Sequence, residues 1–324
     1  GYTEIPILKP LAGDDALNMI SLGLNLSEYV NGVAERHAEV SRKLFPGHHV
    51  YAITNGAHAP SWTGSGFAAL FDRNIPGWRH EPQMLMRADH IADGEIWAAH
   101  TSQKQALIDF VKTRTGAELN PDRPIIGFAR RMTEYKRPGL LFSDLERLKA
   151  IARQRPFQVV LAGKAHPRDE PGKQLIEALH RHITELRGVI EIVYLPNYTM
   201  DIAAHLVAGV DLWLNTPLKP LEASGTSGMK AAFNGVPSLS VLDGWWAEGC
   251  IEGVTGWAIG EASEVSNSRD SESLYSKLAQ VVLPLYYDDR PGWIAVMKGA
   301  IAKNASYFNS HRMMRRYVTE AYMR

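Results

Sequence analysis

Beyond Pro124 the chain returns five times to one pattern, a short and continuous apolar run closed by turn residues. The runs are "PIIGFAR", "FQVVLAG", "VIEIVYLP", "DLWLNTP" and "PSLSVL". Apolar residues fill them without alternation, so both faces of each strand need cover, which a parallel sheet between helix layers supplies. Helical patterns occupy the longer first intervals, over Leu140 to Ala152 and Gly172 to Leu186. The expectation is an α/β fold built on a doubly wound parallel sheet. Upstream, apolar residues recur at helical spacing from about Asp14 to Leu44, predicting one or two buried helices. "FPGHHVYAITNGAHAPSW" breaks that pattern with a turn signal at Asn55-Gly56, and a second helical region covers Glu95 to Thr115. From about Ser271 to Arg324 the spacing predicts several helices with aromatic and Met residues on one face. No internal repeat or low-complexity tract is visible.

In an open parallel sheet, ligands bind beyond the carboxyl ends of the strands. That rule singles out "GFARRMTEYKR", "LAGKAHPRDEPGK", "YLPNYT" and "NTPLKPLEASGTSGMK", the segments in which the unusual residues collect. Lys plus Arg equals Asp plus Glu, 35 each, so no global field draws nucleic acid or membrane, and any anion site is local. No apolar run approaches a membrane span and no signal peptide is visible. The single cysteine, Cys250, allows no internal disulfide and fits a reducing, cytoplasmic setting. The sequons at Asn25, Asn197 and Asn304 read as chance matches there. At 324 residues there is room for two domains, or for one large α/β domain with an attachment. The chain opens on "GYTEIPILKP" without an initiator Met, so a piece of a longer protein is expected.

In "ARRMTEYKR" the cations Arg130, Arg131, Lys136 and Arg137 surround Glu134 and Tyr135. Such a run is ordinarily a solvated face. At the carboxyl end of a parallel strand it points into the ligand crevice, where Arg offers phosphate a bidentate fork and Lys a point charge. In "GTSGMK", Gly225, Thr226, Ser227 and Gly228 can present successive backbone N–H groups before a helix start at "MKAAFNG". A plain helix N-cap by Thr226 or Ser227 explains the same residues. The spacing is neither that of a P-loop nor G-x-G-x-x-G. Lys230 sits among Met229, Ala231 and Ala232, either reaching to solvent or desolvated and nucleophilic. A desolvated lysine beside a phosphate cradle is what pyridoxal phosphate requires, an amine for the aldehyde and N–H groups for the 5′-phosphate. Lys164 and His166 could contact a ligand, though a lone loop histidine is more often solvated, and His48, His49 and His58 lack metal-ligand spacing. No Gly-x-Ser-x-Gly elbow occurs.

Taken in order, these blocks resemble the α-glucan phosphorylases that act on glycogen, starch and maltodextrin. "EASGTSGMKAAFNGVPSLSVLDGWWAEG" looks like the pyridoxal phosphate segment of that family and "RRMTEYKR" like its phosphate-site segment. "NMISLGLNLSEYVNGVAERHAEV" followed by "TNGAHAPSW" is similar to the stretch leading into its C-terminal lobe. "GTSG" and "DGWWAEG" point to the shorter prokaryotic branch. The resemblance implies a two-lobed GT-B glycosyltransferase fold whose Rossmann-like C-terminal lobe carries pyridoxal 5′-phosphate. It also implies phosphorolysis of α-1,4-glucans from the non-reducing end by inorganic phosphate, giving α-D-glucose 1-phosphate with retention. The cofactor's 5′-phosphate would exchange a proton with the substrate phosphate. Lys230 would anchor the cofactor, and Arg130, Gly225, Thr226 and Ser227 would surround its phosphate. Arg131 and Lys136 would bind the substrate phosphate, while Asn55, Tyr135, Glu222 and Ser224 would hydrogen-bond the glucosyl unit. Arg130-Arg131 stands where the long form has Lys-Arg, and "GTSGMK" where it has "GTGNMK". The N-terminal lobe is almost wholly missing, so residues 1–55 are expected to be its helical remnant and 56–324 the C-terminal lobe, with final helices returning toward the N-lobe. The full-length protein would be a homodimer, and this chain alone inactive or nearly so.

Two other readings compete. Nucleotide-sugar glycosyltransferases of the glycogen or starch synthase type share the fold, but many carry a Glu eight residues after the first acid of this segment. Here the position eight after Glu222 is Lys230. A non-catalytic carbohydrate-binding fragment draws its support from the expected truncation and from eight tryptophans, including Trp245-Trp246. Paired tryptophans after a buried strand more often belong to a core or an interface.

Overall fold

The computed structural model of the chain describes residues 5–13, 16–261 and 266–323. Strands β1 (Asn31–Gly32) and β2 (Tyr51–Ala52) form a small parallel pair. The main sheet contains β3 (Ile125–Arg131), β4 (Gln158–Lys164), β5 (Glu191–Leu195), β6 (Leu212–Asn215), β7 (Ser238–Val241) and β8 (Gly256–Ile259). In β3 and β4 every residue but the last is buried, as unbroken apolar runs demand. They pair in parallel from Ile125↔Gln158 to Arg131↔Lys164. The order β5-β4-β3-β6-β7-β8 is the doubly wound arrangement. The chain starts in the middle, moves out through β4 and β5, and crosses back to lay β6 beside β3. That neighbour pair is the switch point, where loops diverge and leave a crevice. The strand β8 was not anticipated: "GWAI" is short, and its pairing rests on Gly256 at φ 143, where a Cβ would meet Ser238 O at 2.1 Å.

The helix Asp93–Thr115 buries Ile96, Ala99, His100, Gln103, Lys104, Leu107, Ile108 and Val111, one stripe at helical spacing, and ends at Gly116 in the left-handed conformation. It packs on Ser65–Asn74, Met200–Gly209 and Arg290–Gly299. Glu170–Leu186 lies on β4 and β5, while Leu145–Gln154 and Asn267–Lys277 meet at the turn Leu140–Phe142. Of the C-terminal apolar face, Leu274, Tyr275, Tyr286, Trp293 and Met297 enter the core as expected.

One expectation is corrected here. The helical pattern upstream of Leu44 forms helices Met19–Leu26 and Glu35–Leu44, but the first buries no side chain; Met19, Ile20 and Leu26 are exposed. Periodicity identifies an amphipathic face without saying what lies against it. Helix Glu35–Leu44 instead covers β1 and β2 around a small satellite core of Ala38, Val50 and Ala52. Asp14, where that pattern begins, and Arg324 lie outside the described residues.

At the amino ends of β3 and β6 stands a buried ionic cluster. Asp211 accepts from Ile125 N at 2.7 Å and pairs with Lys104 Nζ at 2.9 Å and His100 Nε2 at 2.8 Å. Burial pushes this carboxyl up, but Lys104 and His100 outweigh it and hold it at about 2. Among the described residues no helix is long and apolar enough to cross a membrane, and no group of three His, Cys, Asp or Glu could hold a metal ion.

Candidate active site

The loops leaving β3 and β6 are stitched together. After Arg131 comes the 3-10 turn Glu134–Lys136, closed by Arg137 at φ 46. Leu218 N donates to Tyr135 O at 2.7 Å, and Thr216 Oγ1 donates to the carbonyls of Lys136 and Arg137. The Arg137 guanidinium in turn holds Thr216 O, Pro217 O and the Asp270 carboxylate. This stitching brings Glu222 onto the strand-end cations. Its Oε2 lies 2.5 Å from Lys136 Nζ and 3.5 Å from Arg130 Nη1, and all three side chains are buried. Burial, reinforced by the Arg130 charge and opposed by Glu222, lowers the Lys136 ammonium to about 8. Burial likewise lowers Arg130 and raises Tyr135, the latter with help from Glu222. Lys136 Nζ stands 4.6 Å from the Tyr135 ring centre. Arg131 is exposed at the strand end.

Past Glu222 the chain turns at Gly225, whose φ of 80 suits glycine, and begins the short helix Ser227–Ala232. No hydrogen bond within the described residues uses the N–H of Gly225, Thr226 or Ser227. Thr226 makes no side-chain cap, and the Ser227 hydroxyl accepts from Trp213 Nε1 at 3.1 Å. Lys230 is half-buried with its Nζ 3.8 Å from the Trp62 ring centre, and among the described residues no hydrogen bond or ion pair reaches that Nζ. Burial lowers its pKa. Asn234 fixes this geometry: its Nδ2 donates to Trp62 O at 2.8 Å and Lys230 O at 3.2 Å, and its Oδ1 accepts from Gly64 N. Gly228 completes the seat, since a Cβ there would meet Trp245 Cζ2 at 2.6 Å and Ser238 Oγ at 2.9 Å. Gly228→Ala is expected to cost about 1–3 kcal/mol by overpacking, read from the urea midpoint.

Arg130 Nε, Thr133 Oγ1 and Ser224 Oγ are buried at the same strand ends without a partner among the described residues, as are the acceptors Asn215 Oδ1 and Asp243 Oδ1; other such atoms, His100 Nδ1 and Trp293 Nε1 among them, lie elsewhere. Such orphans are costly in a finished core, so their clustering marks a place shaped for a ligand. Guanidinium, hydroxyl and backbone donors suit a phosphate, and an unpaired, desolvated lysine over an aromatic ring suits an aldehyde-bearing cofactor. The donor set fits pyridoxal phosphate.

The structure thus brings Arg130, Tyr135, Lys136 and Glu222 into one cluster and runs Ser224, Gly225, Thr226, Ser227 and Lys230 directly from it. Asn55 makes no hydrogen bond to these residues; it lies in the loop after β2, with its N–H on Val33 O and its carbonyl held by Arg312. Trp62, Asn234 and Asp243 went unnoticed in the sequence. Tyr198, close enough to Arg130 for their charges to interact, lies in the quoted strand end "YLPNYT", so position alone could have drawn attention to it. Nothing in the sequence pairs Trp62 with Lys230. The Trp245-Trp246 pair is core, with both rings buried, which removes the aromatic support for a sugar-binding fragment.

The family profile described as Carbohydrate phosphorylase matches residues 4–252. Maltodextrin phosphorylase of Thermococcus litoralis is 40% identical, over 95% of this chain and 41% of the relative. Glycogen phosphorylase of Aquifex aeolicus is 38% identical over 97% of this chain and 50% of the relative. Glycogen phosphorylase of Mycobacterium tuberculosis is 36% identical over 94% and 40%. The chain therefore spans half or less of the length of these curated relatives.

Proposed function

The chain belongs to the carbohydrate phosphorylase family, and from that premise we propose that its whole protein phosphorolyses α-1,4-glucans from the non-reducing end. Inorganic phosphate is the acceptor, α-D-glucose 1-phosphate the product, and the anomeric configuration is retained. The observation that carries this reading is the Lys230 ammonium, unpaired among the described residues and desolvated on Trp62, at the end of a segment that runs from the strand ends where Arg130 Nε, Thr133 Oγ1 and Ser224 Oγ stand without partners. Pyridoxal 5′-phosphate, when bound, supplies a phosphate able to give and take a proton beside the substrate phosphate. Lys230 tethers it, and Arg130 with the N–H groups of Gly225, Thr226 and Ser227 holds its phosphate. Arg131 and Lys136 bind and orient inorganic phosphate. Tyr135, Glu222, Ser224 and Asn55 hydrogen-bond the glucosyl unit. Residues 1–55 are read as the end of a first lobe and 56–324 as the lobe with the cofactor, so the chain alone turns over little or nothing. The whole protein acts in the cytoplasm as a homodimer.

A lysine at position 230 disfavours the synthase-type alternative, which needs an acid there for a nucleotide sugar. The test is phosphorolysis of maltodextrin by the complete natural protein, with release of glucose 1-phosphate and an absorbance from lysine-bound cofactor. A properly folded but colourless protein without that product would sink the reading. The same assay has a pH arm. A lysine lowered to about 8 keeps its charge below that pH and loses it above. The KM for phosphate should therefore climb as pH rises through about 8, and Lys136→Arg should flatten that climb because Arg stays charged.

A further inference from the structure

The turn and short helix after β7 make contacts that the reaction as described does not use. Asp243 is buried, and its Oδ2 accepts from Glu222 N at 2.9 Å. Trp245 N donates to Ser224 O at 2.8 Å. Gly244, at φ 53, comes so near that a Cβ would stand 2.3 Å from Ser224 O. Three consecutive residues thus grip the Glu222–Ser224 stretch from below. Three residues further on, Glu248 faces the other way. Its Oε2 accepts from Thr54 Oγ1 at 2.8 Å and its Oε1 from Glu35 N at 3.0 Å. Thr54 is the neighbour of Asn55, and Arg312 clamps both of their carbonyls, at 2.5 and 2.9 Å. Trp245 and Trp246 between the two acids are buried and 5.1 Å apart, so the segment is a stiff strut rather than a free loop.

Resting on the reading above, we propose that residues 243–248 are a brace between the two sugar-binding loops. Asp243 and Glu248 are positioning residues: one fixes Glu222 and Ser224, the other fixes the loop of Asn55. Neither acid hydrogen-bonds Lys230, Arg130, Arg131 or Lys136; the Asp243 end reaches the phosphate cations only through Glu222, and the Glu248 end is confined to the loop of Asn55, so the brace acts first on glucan binding. Buried carboxylates receiving backbone N–H groups are strong, directional restraints, and losing one lets the held segment drift.

The test uses the complete natural protein with Asp243→Ala, Asp243→Asn, Glu248→Ala, Glu248→Gln and the double alanine variant, with maltodextrin and inorganic phosphate as substrates. Glu248→Ala should keep the absorbance of lysine-bound cofactor and the phosphate KM to within about twofold and raise the glucan KM about tenfold, whereas Asp243→Ala should raise the glucan KM about tenfold and the phosphate KM less, because Glu222 pairs with Lys136 and Arg130. Asn and Gln keep an acceptor and should restore most of the loss. The double variant should fall short of the product of the singles, because either break frees the strut. Where Asp243→Ala does not fold, Gly244→Ala displaces the same stretch and is held to the same outcome. Folded alanine variants with an unchanged glucan KM would overturn the brace. So would equal rises in both KM values, which would mean general loosening. A wild-type protein without lysine-bound cofactor would overturn the site reading, and this assignment with it.

Discussion

Lys230→Ala in the complete natural protein is expected to remove the absorbance of lysine-bound pyridoxal phosphate and to lower phosphorolysis by at least about 10³-fold. Stability should change little. The Lys230 ammonium is unpaired among the described residues and its burial is unfavourable to the charged form, so truncation removes a desolvation cost together with one contact to Trp62. The backbone around it stays held, since Lys230 N donates to Thr226 O and Asn234 Nδ2 donates to Lys230 O. That contrast, function gone and fold kept, separates a cofactor anchor from a structural lysine. A structural lysine would show the reverse, with cofactor colour kept and a lowered melting temperature. Absorbance, urea midpoint and product release, measured on one preparation, distinguish the two.

Asp211→Ala is expected to show the opposite separation. Removing the carboxylate leaves Lys104 buried without its counter-charge, and His100 Nε2 and Ile125 N without their hydrogen-bond partner. Breaking a buried pair from one side costs about 3–5 kcal/mol, a large share of a domain's stability. Asp211→Asn, which can still accept from Ile125 N, should cost less. The pH dependence follows from the position of the carboxyl at about 2, below its ordinary value near 3.9. A depressed carboxyl contributes stability that is full above the unfolded pKa and lost as pH falls through the folded one. The gap between wild type and Asp211→Ala in urea midpoint should therefore be constant above about pH 4 and close toward pH 2. A gap that stays constant down to pH 2 would mean that the Asp211 charge is not what binds these elements.

Much of this molecule is written locally. The strands β3 to β7 could be read because unbroken apolar runs between turns have few other uses, and their order in the sequence implied a parallel sheet. The rule that ligands gather at carboxyl strand ends singled out segments whose Arg130, Tyr135, Lys136 and Glu222 converge in the structure. Short β8 escaped because four residues carry too little pattern, and the exposed face of Met19–Leu26 was misjudged because periodicity does not reveal its cover.

By itself, then, the sequence determined the sheet, its winding and the chemical inventory of the crevice, since these depend on spacing and residue type along the chain. Tertiary structure alone decided which groups meet. Trp62 comes under Lys230 because Asn234 ties two distant helices together, and Glu222 lies on Lys136 because Arg137 and Thr216 sew two loops. Asp243 and Glu248 became braces only once their neighbours were in place. Those contacts join residues far apart in the chain, and no periodicity records them.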